Sequence, residues 1–204
     1  MNCILYNVTN MRKNMLFMLI CGWTLATIFT SCGYDEYADA DYPETTIYQP
    51  MALESIWNID TPNPDGASYV TPGGSKRYEI DKANNKFIVL LGVVQSGIEF
   101  KSSTVDISID HSIVNTMIMD GRLPIGTLPL PAPAYSLPSS VELMSDAAFS
   151  PFRMEIDLNT LLDADNRGKK FAVAVKISSM SVAVNDGLDT AVICIDTNFI
   201  QDLM

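Results

Sequence analysis

From Thr45 onward, short apolar runs alternate with polar residues at period two, clusters of Pro, Gly, Asn and Asp separate the runs, and helical spacing is nearly absent. Together these features predict an all-β domain: a two-sheet sandwich of immunoglobulin-like type with about seven or eight strands.

The expected strands, in order, are Thr46 to Met51, Ser75 to Ile80, Lys86 to Val94, Thr104 to Asp110, Ser139 to Met144, Phe152 to Leu158, Lys170 to Ser178 and Thr190 to Asp196. Val105, Ile107 and Ile109 alternate with Asp106, Ser108 and Asp110, as a half-buried antiparallel strand requires, and Val173, Val175 and Ile177 repeat the pattern. Turns are marked by Pro62-Asn63-Pro64-Asp65-Gly66, Pro72-Gly73-Gly74, Asp120-Gly121, Asp165-Asn166-Arg167-Gly168 and Asn185-Asp186-Gly187. Short helical turns are expected at Ser112 to Met119 and Leu158 to Ala164. The stretch Leu123 to Pro138 carries five prolines. It cannot form a central strand and is expected to cross a face or edge as an extended connection.

The segment before the sandwich reads differently. Arg12 and Lys13 precede an apolar run from Met15 through Phe29 that stops at Thr30-Ser31-Cys32. A charged start, a short apolar core and a small-residue cleavage site describe a signal peptide over residues 1–31. A retained membrane helix is disfavoured, because the run is short and is followed by Asp35 and Glu36 instead of basic residues. Residues 32–44 are acidic and small and read as a solvated tether, and residues 45–204 as the sandwich.

Arg12 and Lys13 fall in the signal, so the mature chain carries 11 basic against 24 acidic residues, a net charge of −13. Such a surface repels phosphate backbones, so nucleic acid is not an expected partner. Cys3 and Cys21 also fall in the signal, which leaves Cys194 inside the folded part, in the run Ala191-Val192-Ile193-Cys194-Ile195. A buried small hydrophobe is expected there instead of a nucleophile.

Candidates for chemistry are few. His111 is the only histidine and follows Asp110 at a strand end, the place of an exposed turn residue. No Gly-x-Ser-x-Gly elbow and no phosphate-cradling glycine loop occurs. Asp106 and Asp110 share a strand face, but about 13 Å of extended chain is too wide for a pair of glycosidase carboxylates in one cleft. Asp163-Ala164-Asp165-Asn166-Arg167-Gly168 begins like a calcium loop, yet Ala174 stands where a bidentate Glu is needed. No catalytic residue, metal or cofactor is therefore expected. For sugar binding, flat aromatics are the relevant side chains. Trp57 lies before a Pro-rich loop, with Tyr69 and Tyr78 within reach of the same sandwich end, and these three are the candidate glycan contacts. The competing role for Trp57 is a plug between the sheets.

Two resemblances add to this reading. Phe29-Thr30-Ser31-Cys32 resembles a bacterial lipobox, with Phe29 where leucine is commoner. It implies that Cys32 is lipidated and becomes the first residue of the mature protein, anchored to a membrane and not spanning it. The acidic residues that follow resemble a surface-export signal of Bacteroidetes lipoproteins, which implies an outer-membrane address facing the exterior.

The order of segments across the mature chain resembles the immunoglobulin-like domain of unknown function found near the N-termini of Bacteroidetes surface lipoproteins, ahead of glycan-binding or endo-β-N-acetylglucosaminidase modules. The matching pieces are Ile47-Tyr48-Gln49-Pro50; Val105 to Asp110 with Asn115; Leu128-Pro129 with Tyr135-Ser136-Leu137-Pro138; Met154 to Leu158 with Leu161; and Phe171 to Ile177. Many relatives place a glycine turn where this chain has Ser145-Asp146-Ala147-Ala148, and they carry a further module beyond the point where this sequence ends. The resemblance implies a non-enzymatic surface lipoprotein that assists glycan capture, with carbohydrate or neighbouring lipoproteins as partners. A structural or adhesive component of a surface complex is the alternative, and an exposed strand edge would favour it.

Overall fold

The computed structural model describes residues 43–69 and 76–204. The expected signal (1–31), Cys32, most of the tether and the Pro72-Gly73-Gly74 turn lie outside the described residues. The compact unit Pro43–Met204 is a mainly β structure in which two sheets pack face to face.

The first sheet is organised around β4 (Lys86–Ser96). One edge of β4 pairs along its length with β9 (Phe149–Asp157), from Lys86 opposite Asp157 to Val94 opposite Phe149. Its other edge is shared by β3 (Tyr78–Asp81) and β1 (Thr46–Tyr48), and β11 (Ala183–Val184) continues the sheet beyond β1. Phe87, Val89, Leu91 and Val93 face the core, and the alternate residues Ile88, Leu90 and Val94 are buried on the other side. Burial of both faces explains why β4 reads as one apolar run instead of an alternation.

The second sheet is organised around β10 (Lys170–Ser178), which pairs with β12 (Thr190–Asp196) along one edge. Its other edge takes β5 (Ser103–Ile109) at one end and β6 (Thr127–Pro129) at the other. β2 (Trp57–Ile59) flanks β12, and β8 (Ser140–Leu143) flanks β5. Phe171, Val173, Val175 and Ile177 meet the first sheet across the main core. The opposite face, Ala172, Ala174, Val192 and Cys194, is covered by helix α1 (His111–Met119) through Val114 and Met117. Small alanines in the sheet let the helix approach closely. Cys194 is the buried small residue that the sequence suggests.

Helix α1 starts where Asp110 accepts hydrogen bonds from the backbone N–H groups of Ser112 (3.0 Å) and Ile113 (3.4 Å). Asp157 caps α2 (Leu158–Leu162), Asp163 caps the 3-10 turn Ala164–Asn166, and Asp196 caps α3 (Thr197–Leu203) in the same way. A share of the acidic composition therefore serves the starts of helices.

Three details depart from the sequence expectation. The first strand stops at Tyr48 instead of Met51, because Pro50 has no N–H for a ladder and opens a 3-10 turn, Pro50–Leu53. β9 begins three residues early, at Phe149, and contains Pro151. The strand tolerates it because β7 (Tyr135–Ser136) pairs with β9 only at Ile156 and Glu155, and among the described residues no strand hydrogen-bonds to β9 at Pro151 on that edge. The short strands β2 and β11 and helix α3 (Thr197–Leu203) carry no periodicity that marks them in the sequence. The proline-rich stretch does connect the sheets by their margins: β6 joins the second sheet and β7 the first.

Candidate functional site

The three aromatic candidates do not form one open platform. Trp57 opens β2 and is 7% exposed, seated in the main core. The guanidinium carbon of Arg77 lies 4.0 Å from its ring centroid. Arg77 is held there by Glu54, whose carboxylate takes hydrogen bonds of 2.9 and 3.2 Å, and by the carbonyl of Asn58 at 2.9 Å. Trp57 is thus the inter-sheet plug, and a cation occupies the ring face that a sugar would need. Its indole Nε1 is buried without a partner among the described residues.

Tyr78, 5% exposed, stacks on Phe87 with centroids 5.1 Å apart and meets Phe199 edge-on at 5.9 Å. Burial raises its phenol pKa above the ordinary value. Tyr69 is half-buried; its hydroxyl donates to the carbonyls of Leu91 and Phe152, and its ring meets Phe149 edge-on at 5.9 Å. Burial pushes its phenol well above the usual tyrosine range, and the nearby Arg153 only partly offsets this.

What sequence reasoning missed is the surface between these tyrosines. Among the described residues, two shallow concavities of about 840 and 510 Å³ flank β9, the larger beside β3 of the first sheet and the smaller between β9 and β8 of the second, and Arg153 lines both. Tyr69, Pro138, Ser140 and Pro151 line the smaller. Lys76, Tyr78, Glu79, Asp81 and Asn63 line the larger. Glu79 stands between two cations, 2.7 Å from the Lys76 ammonium and 3.5 Å from the Arg153 guanidinium. The Arg153 side chain is 54% exposed, so its fork remains accessible from solvent. Alternation in β9 does place Arg153 outward between buried Phe152 and Met154. Nothing in the sequence, however, brings β3 or Tyr69 beside it.

Such a surface offers a planar donor fork, a carboxylate acceptor, an ammonium group and an aromatic edge, the complement that holds hydroxyl-bearing ligands by hydrogen bonds. The other candidates lie elsewhere. His111 is exposed at the start of α1, Asp110 is engaged as that helix's cap, and Asp163 caps a 3-10 turn. Hydrogen bonding by Ser112 holds the Asp110 carboxyl below the usual range. Among the described residues no three His, Cys, Asp or Glu side chains gather as a metal site, and no helix is long and apolar enough to cross a membrane.

Comparison with known family patterns and with curated proteins finds no match. Solved structures do match. A Bacteroides ovatus protein proposed to bind carbohydrate shares 14% identity over 74% of this chain and 36% of its own, with a TM-score of 0.51. A two-domain Bacteroides fragilis protein of unknown function matches at 8% identity over 75% of this chain and 45% of its own, with a TM-score of 0.48. EndoBT-3987 of Bacteroides thetaiotaomicron matches at 8% identity over 74% and 30%, also at 0.48. This chain therefore spans less than half of each of these structures. The first of them shows a shared fold: the sandwich has the architecture of a domain found within a longer Bacteroides protein, as the order of segments implies.

Proposed function

We propose that this protein is a non-enzymatic outer-membrane surface lipoprotein, anchored through Cys32 after removal of residues 1–31, whose sandwich assists glycan capture at the Arg153 surface. The observation that carries the reading is the position of Arg153 on the margin of both concavities, half-exposed and flanked by Glu79 and Tyr69. A saccharide presents many hydroxyls at fixed spacing. A fork of donors beside a carboxylate matches that pattern, and shallow open clefts admit an extended chain. The shared fold with a protein proposed to bind carbohydrate supports the same class of ligand. Tyr69 is the aromatic candidate that lines a cleft while staying half-buried; Trp57 contributes to the core that holds β2 and Arg77 in place.

The test is a glycan array probed with the mature chain carrying Cys32→Ser, alongside Arg153→Ala in the same background. Binding lost in the Arg153 variant, with the fold intact, supports capture at this surface. A blank array from folded protein moves the reading to a structural or adhesive role. One observation favours that second reading: among the described residues, the edge of β9 away from β4 has no strand paired with it from Phe149 to Met154. Pro151 and Arg153 stand in that stretch, and both discourage strand addition.

A further inference from the structure

The described chain begins at one end of the sandwich, and exposed apolar side chains gather at that same end. Thr46 pairs with Ser96, so Thr45 lies against the loop that follows β4. Its hydroxyl donates to the carbonyl of Glu99, and a Cβ on Gly97 would come within 3.0 Å of the Thr45 backbone. Gln95 ties this loop to the next, accepting from the Lys101 N–H (2.9 Å) and donating to the carbonyl of Met144 (3.0 Å). Ser103 and Ser179 make a further tie at 3.3 Å, to the loop after β10. Three loops thus form one connected tip around Thr45.

Each loop exposes an apolar side chain: Ile98 at 63%, Met144 at 54% and Met180 at 102%. Among the described residues no packing accounts for them, and methionine is suited to irregular, soft surfaces. Glu99, Lys101 and Asp146 give these loops a net charge of −1, and Glu44 beside Thr45 adds one more negative charge, a small part of the acidic balance of the chain. A tip of this kind is not repelled by a zwitterionic bilayer.

From these observations we infer that the Ile98, Met144 and Met180 tip is a lipid-docking surface that seats the sandwich upright on the membrane. The inference rests on the reading of Cys32 as the anchor. About 13 residues join Cys32 to Thr45 and span at most about 45 Å. Tethering at that range gives the tip an effective concentration on the order of millimolar at the bilayer, so weak insertion by a few apolar side chains suffices. The Arg153 surface lies on the flank of the sandwich, along β9, and stays clear of the membrane in this pose.

The native methionines report the outcome. The mature, acylated chain is reconstituted on phosphatidylcholine and phosphatidylethanolamine vesicles, floated, and pulsed with hydrogen peroxide, with the Cys32→Ser chain in solution as reference. Sulfoxide at each methionine is read by mass spectrometry. Met144 and Met180 are expected to oxidise at least about threefold more slowly on vesicles, while Met119, 79% exposed on α1, is unchanged. Met180→Asp should still float and should restore oxidation of Met144. A floated chain whose Met180 oxidises at the reference rate overturns docking and leaves the anchor standing. A chain that does not float overturns the anchor, and docking with it.

Discussion

The Arg77 guanidinium lies 4.0 Å from the centroid of the Trp57 ring while its fork grips Glu54, and this stack joins β2 to the residue that leads into β3. A cation over an indole contributes about 0.5–2 kcal/mol, more when shielded from water. The partial burial of Arg77 favours the upper part of that range. The first consequence is that Trp57 acts on stability. Trp57→Ala should destabilise the domain by about 3–5 kcal/mol. Arg77→Lys, which keeps the charge and loses the fork, should cost about 1 kcal/mol. Urea denaturation midpoints at constant slope check both.

The second core, between α1 and the outer face of the second sheet, depends on small residues. Ala174→Leu should push α1 off the sheet and cost about 1–3 kcal/mol by overpacking, while Met117→Ala should cost about 2–5 kcal/mol by leaving a cavity. Loss of helical circular dichroism before the main unfolding transition would show that α1 detaches first.

Asp196 joins two supports: it accepts from the N–H groups of Asn198 (2.9 Å) and Phe199 (3.4 Å), and it pairs with Lys170 at 2.7 Å. Burial would raise its pKa, but the Lys170 contact and the helix N–H groups outweigh that and lower it. The hydrogen bond to Asp196 raises Lys170. A lowered carboxylate stabilises the fold above its unfolded pKa and loses that contribution as pH falls through the folded value. A raised lysine stabilises below its unfolded pKa and loses it as pH rises through the folded value. Stability should therefore fall below about pH 4 and above about pH 10 in the wild type. Asp196→Asn, which keeps the cap, should flatten both slopes; equal slopes in the two proteins would contradict the pairing.

Cys194 sits beneath α1, and burial raises its thiol pKa, with Lys170 pulling the other way. In the mature Cys32→Ser chain this thiol should resist an aromatic disulfide reagent at pH 8 and react fully in denaturant. Rapid reaction of native protein would mean that α1 opens readily.

The strands whose alternation is uninterrupted were legible in the sequence, and β10 and β12 run from Lys170 to Ser178 and from Thr190 to Asp196 as periodicity predicts. Boundaries slipped where proline changed meaning with context. Pro50 ends a strand, whereas Pro151 sits inside one because, among the described residues, no strand pairs with it on the edge away from β4. The three residues of β2 carry too little pattern to mark a strand. The aromatic candidates were visible as residues but not as surroundings: Trp57 is covered by Arg77, twenty residues further along the chain, and Tyr78 by Phe199 of the C-terminal helix. The Arg153 surface was not legible, since it is assembled from β3, β9 and the residues around Tyr69.

The proposed glycan capture stands or falls on the Arg153 surface. The most direct measurement is the affinity of an array-selected oligosaccharide for the wild-type mature domain, Arg153→Ala and Glu142→Ala, the last an exposed site outside both concavities. The expected result is a loss of at least about tenfold for Arg153→Ala, equivalent to about 1.4 kcal/mol, with Glu142→Ala unchanged. Equal affinity in all three proteins would contradict glycan capture at this site.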